Sequence, residues 1–359
     1  MILSYAMTRV LAIESSCDET AVAIVQDRQV VAEAVASQMA HHEGYGGVVP
    51  ELASRHHLEV INDLLAQVQT ATGFTPKDMD GIAVTCAPGL VGALHIGLTA
   101  AKTLALLYQR PLVGVHHLEG HICAAYLTDP QLQPPFLCLL VSGGHTSLVA
   151  VREGQTYVPL GETQDDAVGE AFDKVARLLG LGYPGGPAID RLAPSGNPQA
   201  FALPDGKISL AGGGYHPYDM SFSGLKTAVR RLVEHIPPPL PVADIAASFQ
   251  YTVVQALTRR AIRCTLEQGL TTLVVAGGVA ANRELRHTIT TAANAQGIRV
   301  IIPPMKYCTD NAAMIGCAGV MRLNQGQSSS LSLTGQSRMQ LTDIHTLYEQ
   351  KESCTNQAA

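Results

Sequence analysis

Tryptophan is absent from this 359-residue chain, and aromatic residues make up only 5% of it. Platforms for stacking unpaired bases are therefore scarce. Charge is thin as well: 15% of residues, with a net −6 when histidines are neutral, which argues against wholesale binding of a phosphate backbone. A nucleic-acid partner would need a local basic patch or an accessory subunit. None of the eight cysteines forms a CxxC pair, so a zinc ribbon or disulfide framework is not expected, and a reducing cytosol fits better. No apolar run reads as the ~18 residues of a spanning helix. The opening MILSYAMTRVLAIES has no secretory cleavage pattern. Cytoplasmic placement without a membrane partner is the expectation. The phosphate loop GxxxxGK[ST] does not occur.

What is present is apolar, at 47% of residues, and the length suits two domains. Residues 9–25 read as strand, polar turn, strand, and Phe136 to Val151 repeat that pattern around Ser142-Gly143-Gly144-His145-Thr146-Ser147. The repeat suggests a duplicated domain. Further strands at Gly81–Thr85, Leu112–Val115, Leu273–Ala276 and Val300–Ile302 alternate with helix-period segments, which means α/β architecture. Those helices are expected near 51–70, 97–108, 167–179, 223–236, 242–268, from about 282, and over 309–321 with Asp310 in the first turn. The proline-rich 129–135 segment, DPQLQPP, is the expected domain boundary, and the Gln/Ser/Thr-rich stretch from Asn324 is an expected loose tail.

The stretch His116-His117-Leu118-Glu119-Gly120-His121 places His117 and His121 four residues apart, on one helix face at the carboxyl end of a strand. Two imidazoles so spaced can reach one ion, with zinc, iron, copper and nickel all suited. Asp310 is the candidate third ligand, and helix capping by Thr309, Asp310 or Asn311 is the competing reading. Peptidase chemistry is not supported, because neither HExxH nor HxxEH fits this stretch. Glycine- or serine-rich turns at Glu14–Thr20, Ser142–Thr146, Tyr183–Pro187 and Gly277–Gly278 favour a nucleotide or phosphate compound in an interdomain cleft. His41-His42 and His56-His57 read as solvated or loop residues. Asp166, Glu170 and Asp173 share a helix face, as hydroxyl binders or as solvated charge. Lys226, Arg230, Arg231, Arg259, Arg260 and Arg263 make two basic clusters that suit phosphates or plain solubility.

Taken together the chain resembles the tRNA N6-adenosine threonylcarbamoyltransferase family of the bacterial TsaD type. The stretches that carry the resemblance are IESSCDET at 13–20, GYGGVVPELASRHH at 44–57, APGLVGAL at 87–94 and HHLEGH at 116–121. They continue with LLVSGGHT at 139–146, GEAFDKVARLLGLGYPGGP at 169–187, FSGLKT at 222–227, AGGVAANRELR at 276–286 and CTDNAAMIG at 308–316.

The resemblance implies an actin-like, sugar-kinase-like ATPase fold of two duplicated RNase H-like α/β domains with an interdomain cleft. On it, the domains are expected at 1–134 and 135–305, with a helix returning to the cleft over 306–325 and a flexible tail over 326–359. The implied activity is an acyl transfer. The threonylcarbamoyl group of threonylcarbamoyl-AMP passes to the N6 amine of the adenosine next to the anticodon, position 37, in tRNAs reading codons that begin with adenine. By the same resemblance His117, His121 and Asp310 hold one Fe2+ per subunit, although these ligand types suit zinc too. Leu140, Val141, Ser142, Gly143 and Gly144 wrap the adenylate, Asp173, Gly186 and Asp190 contact its sugar side, and Asn282 is a further substrate contact. A smaller TsaB-like paralogue and a TsaE-like ATPase are the implied partners. A small-molecule carbamoyltransferase or kinase on the same fold is the alternative.

Overall fold

The computed structural model describes residues 7–349. In chain order the first half contains β1 (Arg9–Glu14), β2 (Glu19–Gln26), β3 (Gln29–Ser37), α1 (Met39–His42), α2 (Pro50–Thr72), β4 (Gly81–Ala87), α3 (Val91–Tyr108), β5 (Leu112–His116) and α4 (His117–Thr128). The second half contains β6 (Phe136–Val141), β7 (Thr146–Arg152), β8 (Thr156–Glu162), α5 (Val168–Leu178), α6 (Gly185–Leu192), α7 (Ser223–His235), α8 (Val242–Glu267), β9 (Thr272–Ala276), α9 (Arg283–Asn294), β10 (Arg299–Ile301) and α10 (Ala312–Asn324). Residue contacts group the chain into one unit of Met1–Ala36, Pro50–Gly120 and Asn311–Ala359, and another of Ser37–Val49 and His121–Asp310. The change of unit thus falls within α4, ahead of the proline-rich 129–135 segment.

In the first unit the sheet order is β3-β2-β1-β4-β5. β1 pairs antiparallel with β2 and parallel with β4, and β4 pairs parallel with β5. β4 and β5 are buried along their whole length, as a parallel sheet covered on both faces requires. One face receives α3, where Gly97 packs against Ile13 and Ser15. The other receives α10, whose Gly316 and Gly319 lie so close to Ala12, Val25 and Ala83 that a Cβ on either would fall within 2.6 Å of a neighbour.

The second unit repeats this plan. Its sheet, read from β8, runs β8-β7-β6-β9-β10, with β6 antiparallel to β7, parallel to β9, and β9 parallel to β10. Both sheets therefore follow the order third, second, first, fourth, fifth, and the duplication suggested by the repeated hairpins is present in the topology. Phe172 and Phe249 meet edge-on at 5.0 Å in the core that α5 and α8 build over this sheet.

Several elements depart from the sequence expectation. The outer strands β3 and β8 carry no continuous buried run: β3 mixes exposed and part-buried positions, and β8 buries only Tyr157 and Gly161. α6 begins at Gly185, inside the expected Tyr183–Pro187 turn. α3 begins at Val91 and so reaches 18 residues with a mean hydropathy of 1.4, long and apolar enough by composition to cross a membrane. The expected lack of such a run is corrected by those six added residues. Ala93, Leu94, Leu98, Ala101 and Ala105 of this helix are nonetheless buried in the protein itself.

The expected loose tail is not loose through residue 349. Ser329 pairs with Leu112 across β5, and its hydroxyl accepts from Gly114 N at 2.9 Å and donates to Leu347 O at 2.6 Å. A 3-10 turn at Leu341–Leu347 buries Leu341, Ile344 and Leu347, and the Tyr348 hydroxyl donates to Gly114 O at 3.1 Å. These few apolar anchors outweigh the polar composition around them.

Candidate active site

β5 ends at His116 and α4 starts at His117, so the two adjacent histidines face different work. His116 is structural: Nδ1 accepts from Leu118 N at 3.2 Å, and Nε2 lies 3.2 Å from Met339 O. His117 and His121 lie one turn apart, both buried. The ligating atoms of His117, His121 and Asp310 fall within 4.8 Å of one another. His121 Nε2 and Asp310 Oδ1 stand 3.2 Å apart. Two ligands about 2.1 Å from a shared ion, at angles between octahedral and tetrahedral, are spaced about 3.0–3.4 Å. Two imidazoles and one carboxylate with further positions open are a donor set suited to ferrous iron or zinc. The residues present fit such an ion.

Another residue than Asp310 takes the cap. α10 begins at Ala312 rather than at 309, and Asn311 Oδ1 accepts from Met314 N at 2.8 Å as its N-cap. Asp310 therefore precedes the helix. Gly120 completes the local geometry, since a Cβ there would lie 2.7 Å from Ile315 Cδ1. A side chain there would have to displace the tip of Ile315, so glycine eases the close approach of α4 to α10.

Glu14 sits at the end of β1 with no exposure at all. Its Oε1 accepts from Ser16 N at 2.5 Å, its Oε2 accepts from the Thr85 hydroxyl at 2.5 Å, and the same Oε2 lies 3.2 Å from His117 Nδ1. Ser16 Oγ is 3.1 Å from that nitrogen. In the sequence Glu14 is only the first residue of a polar turn and Thr85 only the end of a strand, and neither is singled out as a partner of His117. Their signal is weak, because only the pairing of β1 with β4, and of β4 with β5, brings them to His117.

The turns of the second unit are equally specific. Leu140 and Val141 are buried at the end of β6. Ser142 N donates to His145 O at 2.8 Å, and Ser142 Oγ accepts from His145 N at 3.1 Å. Gly169 N donates to Ser142 O, and a Cβ on Gly169 would meet that oxygen at 2.6 Å and Gly143 Cα at 2.8 Å. Gly277, with φ +93°, backs against Val141 O where β6 and β9 run side by side. Added Cβ atoms on Gly143, Gly144 or Gly186 would meet nothing within 4 Å, so their backbone faces open space. Asp173 Oδ1 accepts from Gly185 N at 2.7 Å at the start of α6. Asp190 holds Arg283 through Oδ2 at 2.7 Å. Asn282 caps α9 through Leu285 N at 2.9 Å and donates Nδ2 to Gln250 at 2.8 Å.

The family model for TsaD, tRNA N6-adenosine threonylcarbamoyltransferase, matches residues 29–317. The chain belongs to this family. A tRNA N6-adenosine threonylcarbamoyltransferase of Trichormus variabilis is 63% identical over 346 residues, covering 96% of this chain and all of the relative. Among solved structures, HypF of T. kodakarensis aligns with a TM-score of 0.60 at 14% identity, over 89% of this chain and 48% of HypF. Component A of the (R)-2-hydroxyglutaryl-CoA dehydratase of Acidaminococcus fermentans aligns with a TM-score of 0.50 at 13% identity, over 88% and 99%. These two likenesses concern the fold alone. The fold is the actin-like ATPase fold, two mixed α/β sheets of the same order, as expected of a TsaD-family chain.

Several side chains outside that site have structural partners instead. His57 is fully buried and not solvated: Nδ1 lies 2.7 Å from Thr20 Oγ1 and Nε2 lies 3.0 Å from Cys17 O. His42 is buried too, 3.3 Å from Gln38 Oε1. Both are corrections to the sequence reading, whose pairs of adjacent histidines hide one inward member each. Burial opposes ionisation of Asp166, but Lys174 and Lys226 outweigh it and hold the carboxyl below its usual range. Asp165 accepts from Phe222 N and Ser223 N at the start of α7. Arg259 pairs with Asp205, Arg263 with Glu267 and Arg230 with Glu234, so much of the basic cluster charge is matched internally.

Proposed function

We propose that this chain transfers the threonylcarbamoyl group of threonylcarbamoyl-AMP to N6 of adenosine 37 in tRNAs that read codons beginning with adenine. The observation that carries the reading is the His117–His121–Asp310 set in a TsaD-family chain. The amine nitrogen attacks the carbamoyl carbon, the bond from that carbon to the phosphate oxygen breaks, AMP leaves with the electron pair, and one amine proton is lost. The anhydride is already activated, so positioning and charge stabilisation are the main tasks.

His117, His121 and Asp310 would hold one Fe2+. When bound, such an ion supplies Lewis-acid charge to carboxylate and phosphate oxygens. The buried ends of Leu140 and Val141, the turn Ser142-Gly143-Gly144, and the open backbone of Gly143 and Gly144 suit an adenylate approached by N–H groups. Asp173, Gly186 and Asp190 take its sugar side and Asn282 is a further contact, with Asp173, Asp190 and Asn282 already oriented by Gly185, Arg283 and Gln250. The net charge of −6 and the internally matched arginines favour sharing the tRNA with TsaB-like and TsaE-like subunits, in the cytoplasm.

The test is His117→Ala and Asp310→Ala in a depleted, complemented strain, with mass spectrometry of tRNA nucleosides and metal analysis of protein purified without air. Loss of both metal and threonylcarbamoyladenosine is expected. Unchanged modification in either variant would refute the metal-centred reading.

A further inference from the structure

The His117 imidazole has to offer one nitrogen to an ion and place its proton on the other. We propose that Thr85 and Glu14 form a relay that fixes this tautomer, making both of them positioning residues for the metal centre. The proposal rests on the reading of His117, His121 and Asp310 as ligands.

The geometry runs in one direction. The Thr85 hydroxyl donates to Glu14 Oε2 at 2.5 Å and Ser16 N donates to Oε1 at 2.5 Å, so the carboxylate is held at both oxygens. Oε2 then faces His117 Nδ1 at 3.2 Å. A carboxylate oxygen that accepts from Thr85 requires a donor at this third contact, which places the proton on Nδ1 and leaves Nε2 with its lone pair for the ion. Ser16 Oγ, 3.1 Å from the same nitrogen, can donate or accept and so selects neither tautomer. Glu14 selects one. Its own orientation is set from β4, the neighbouring strand, through Thr85. Glu14 and Thr85 have no exposure, so bulk solvent does not reach either side chain.

A glutamine at position 14 disturbs these contacts in either orientation. With its oxygen toward His117 and Thr85, its amide N–H groups confront the Ser16 N–H. Turned over, they confront Nδ1 and drive the proton to Nε2, blocking the ligand nitrogen. Outer partners of ligating histidines are worth about 10–100-fold in metal affinity.

The experiment titrates purified, metal-stripped full-length protein with Co2+ in the absence of air, following its ligand-field absorption, for the wild type, Glu14→Gln, Ser16→Ala, Thr85→Val and Thr85→Ser. Glu14→Gln should weaken Co2+ binding about 10–100-fold. Thr85→Val should weaken it by a smaller factor, and Thr85→Ser, which keeps the hydroxyl, should recover affinity. If Glu14→Gln does not fold, as judged by circular dichroism, the Thr85 pair decides alone. Equal affinity of Thr85→Val and Thr85→Ser overturns the relay, and so does a larger loss from Ser16→Ala than from Glu14→Gln. Failure of the wild type to bind Co2+ would instead sink the ligand assignment itself.

Discussion

Glu119 on α4 and Arg322 on α10 form a buried ion pair, in which Glu119 Oε1 accepts from Arg322 Nε at 2.9 Å and also from Nη2. Arg322 Nη1 reaches Gln327 Oε1 at 3.1 Å, and its guanidinium lies 5.2 Å from the Tyr348 ring centroid. One arginine thus joins the helix bearing the histidines to the C-terminal segment. Removing one partner of such a pair leaves an uncompensated buried charge, at about 3–5 kcal/mol. Glu119→Leu and Arg322→Met should each lower stability by that order in urea unfolding. The double variant should lose less than the sum, because neither charge is then stranded.

Gly143 and Gly169 give opposite results on the same turn. Alanine at 169 would meet the Ser142 carbonyl oxygen at 2.6 Å and Gly143 Cα at 2.8 Å. Backbone cannot yield as a side-chain tip can, so Gly169→Ala should destabilise by about 1–3 kcal/mol. Alanine at 143 meets nothing and should leave unfolding within about 0.5 kcal/mol of the wild type. If the turn takes an adenylate, Gly143→Ala should raise KM for threonylcarbamoyl-AMP while the protein stays folded.

Asn311 and Asp310 are adjacent and separable. Asn311→Ala removes the α10 cap and should cost about 1 kcal/mol in thermal unfolding, with the ligand carboxylate retained. Asp310→Ala keeps the cap and should lose the metal. Metal content and melting temperature of the two variants, measured side by side, distinguish the roles.

Burial holds the His57 imidazole below its ordinary pKa, outweighing the Cys17 carbonyl and Glu14, which favour the cation. The unfolded chain takes the proton first, at about pH 6.5. The resulting stability is full above that value and is lost as pH falls toward and through the lower folded value. Melting curves of wild type and His57→Gln between pH 7.5 and pH 5 (about one unit above to about 1.5 below that unfolded value) should show the wild-type advantage shrinking with acid. An advantage that stays constant would mean that His57 does not titrate differently on folding.

The alternation of strands and helices was legible because the inner strands are apolar along their length, as in β4 and β5. β3 and β8 were not, since an outer strand with mixed exposure leaves no run to read. His117 and His121 could be paired from spacing on one helix. Asp310 could not be freed from the capping reading until Asn311 was seen to cap α10. Glu14 and Thr85 were beyond reach, because contacts across 71 and 103 positions arise only from strand order. Polar composition also misjudged the segment after 326, where four apolar side chains, Leu341, Ile344, Leu347 and Tyr348, are buried.

The shared strand order of the two sheets means that the turn after β1 and the turn after β6 occupy the same station in two copies of one plan. One copy now offers polar side chains there, Glu14 and Ser16, while the other offers Ser142 and two bare glycines. A substitution that improves the grip on imidazole in one copy leaves the peptide surface of the other untouched, so the two chemistries can be tuned by separate mutations within a single gene.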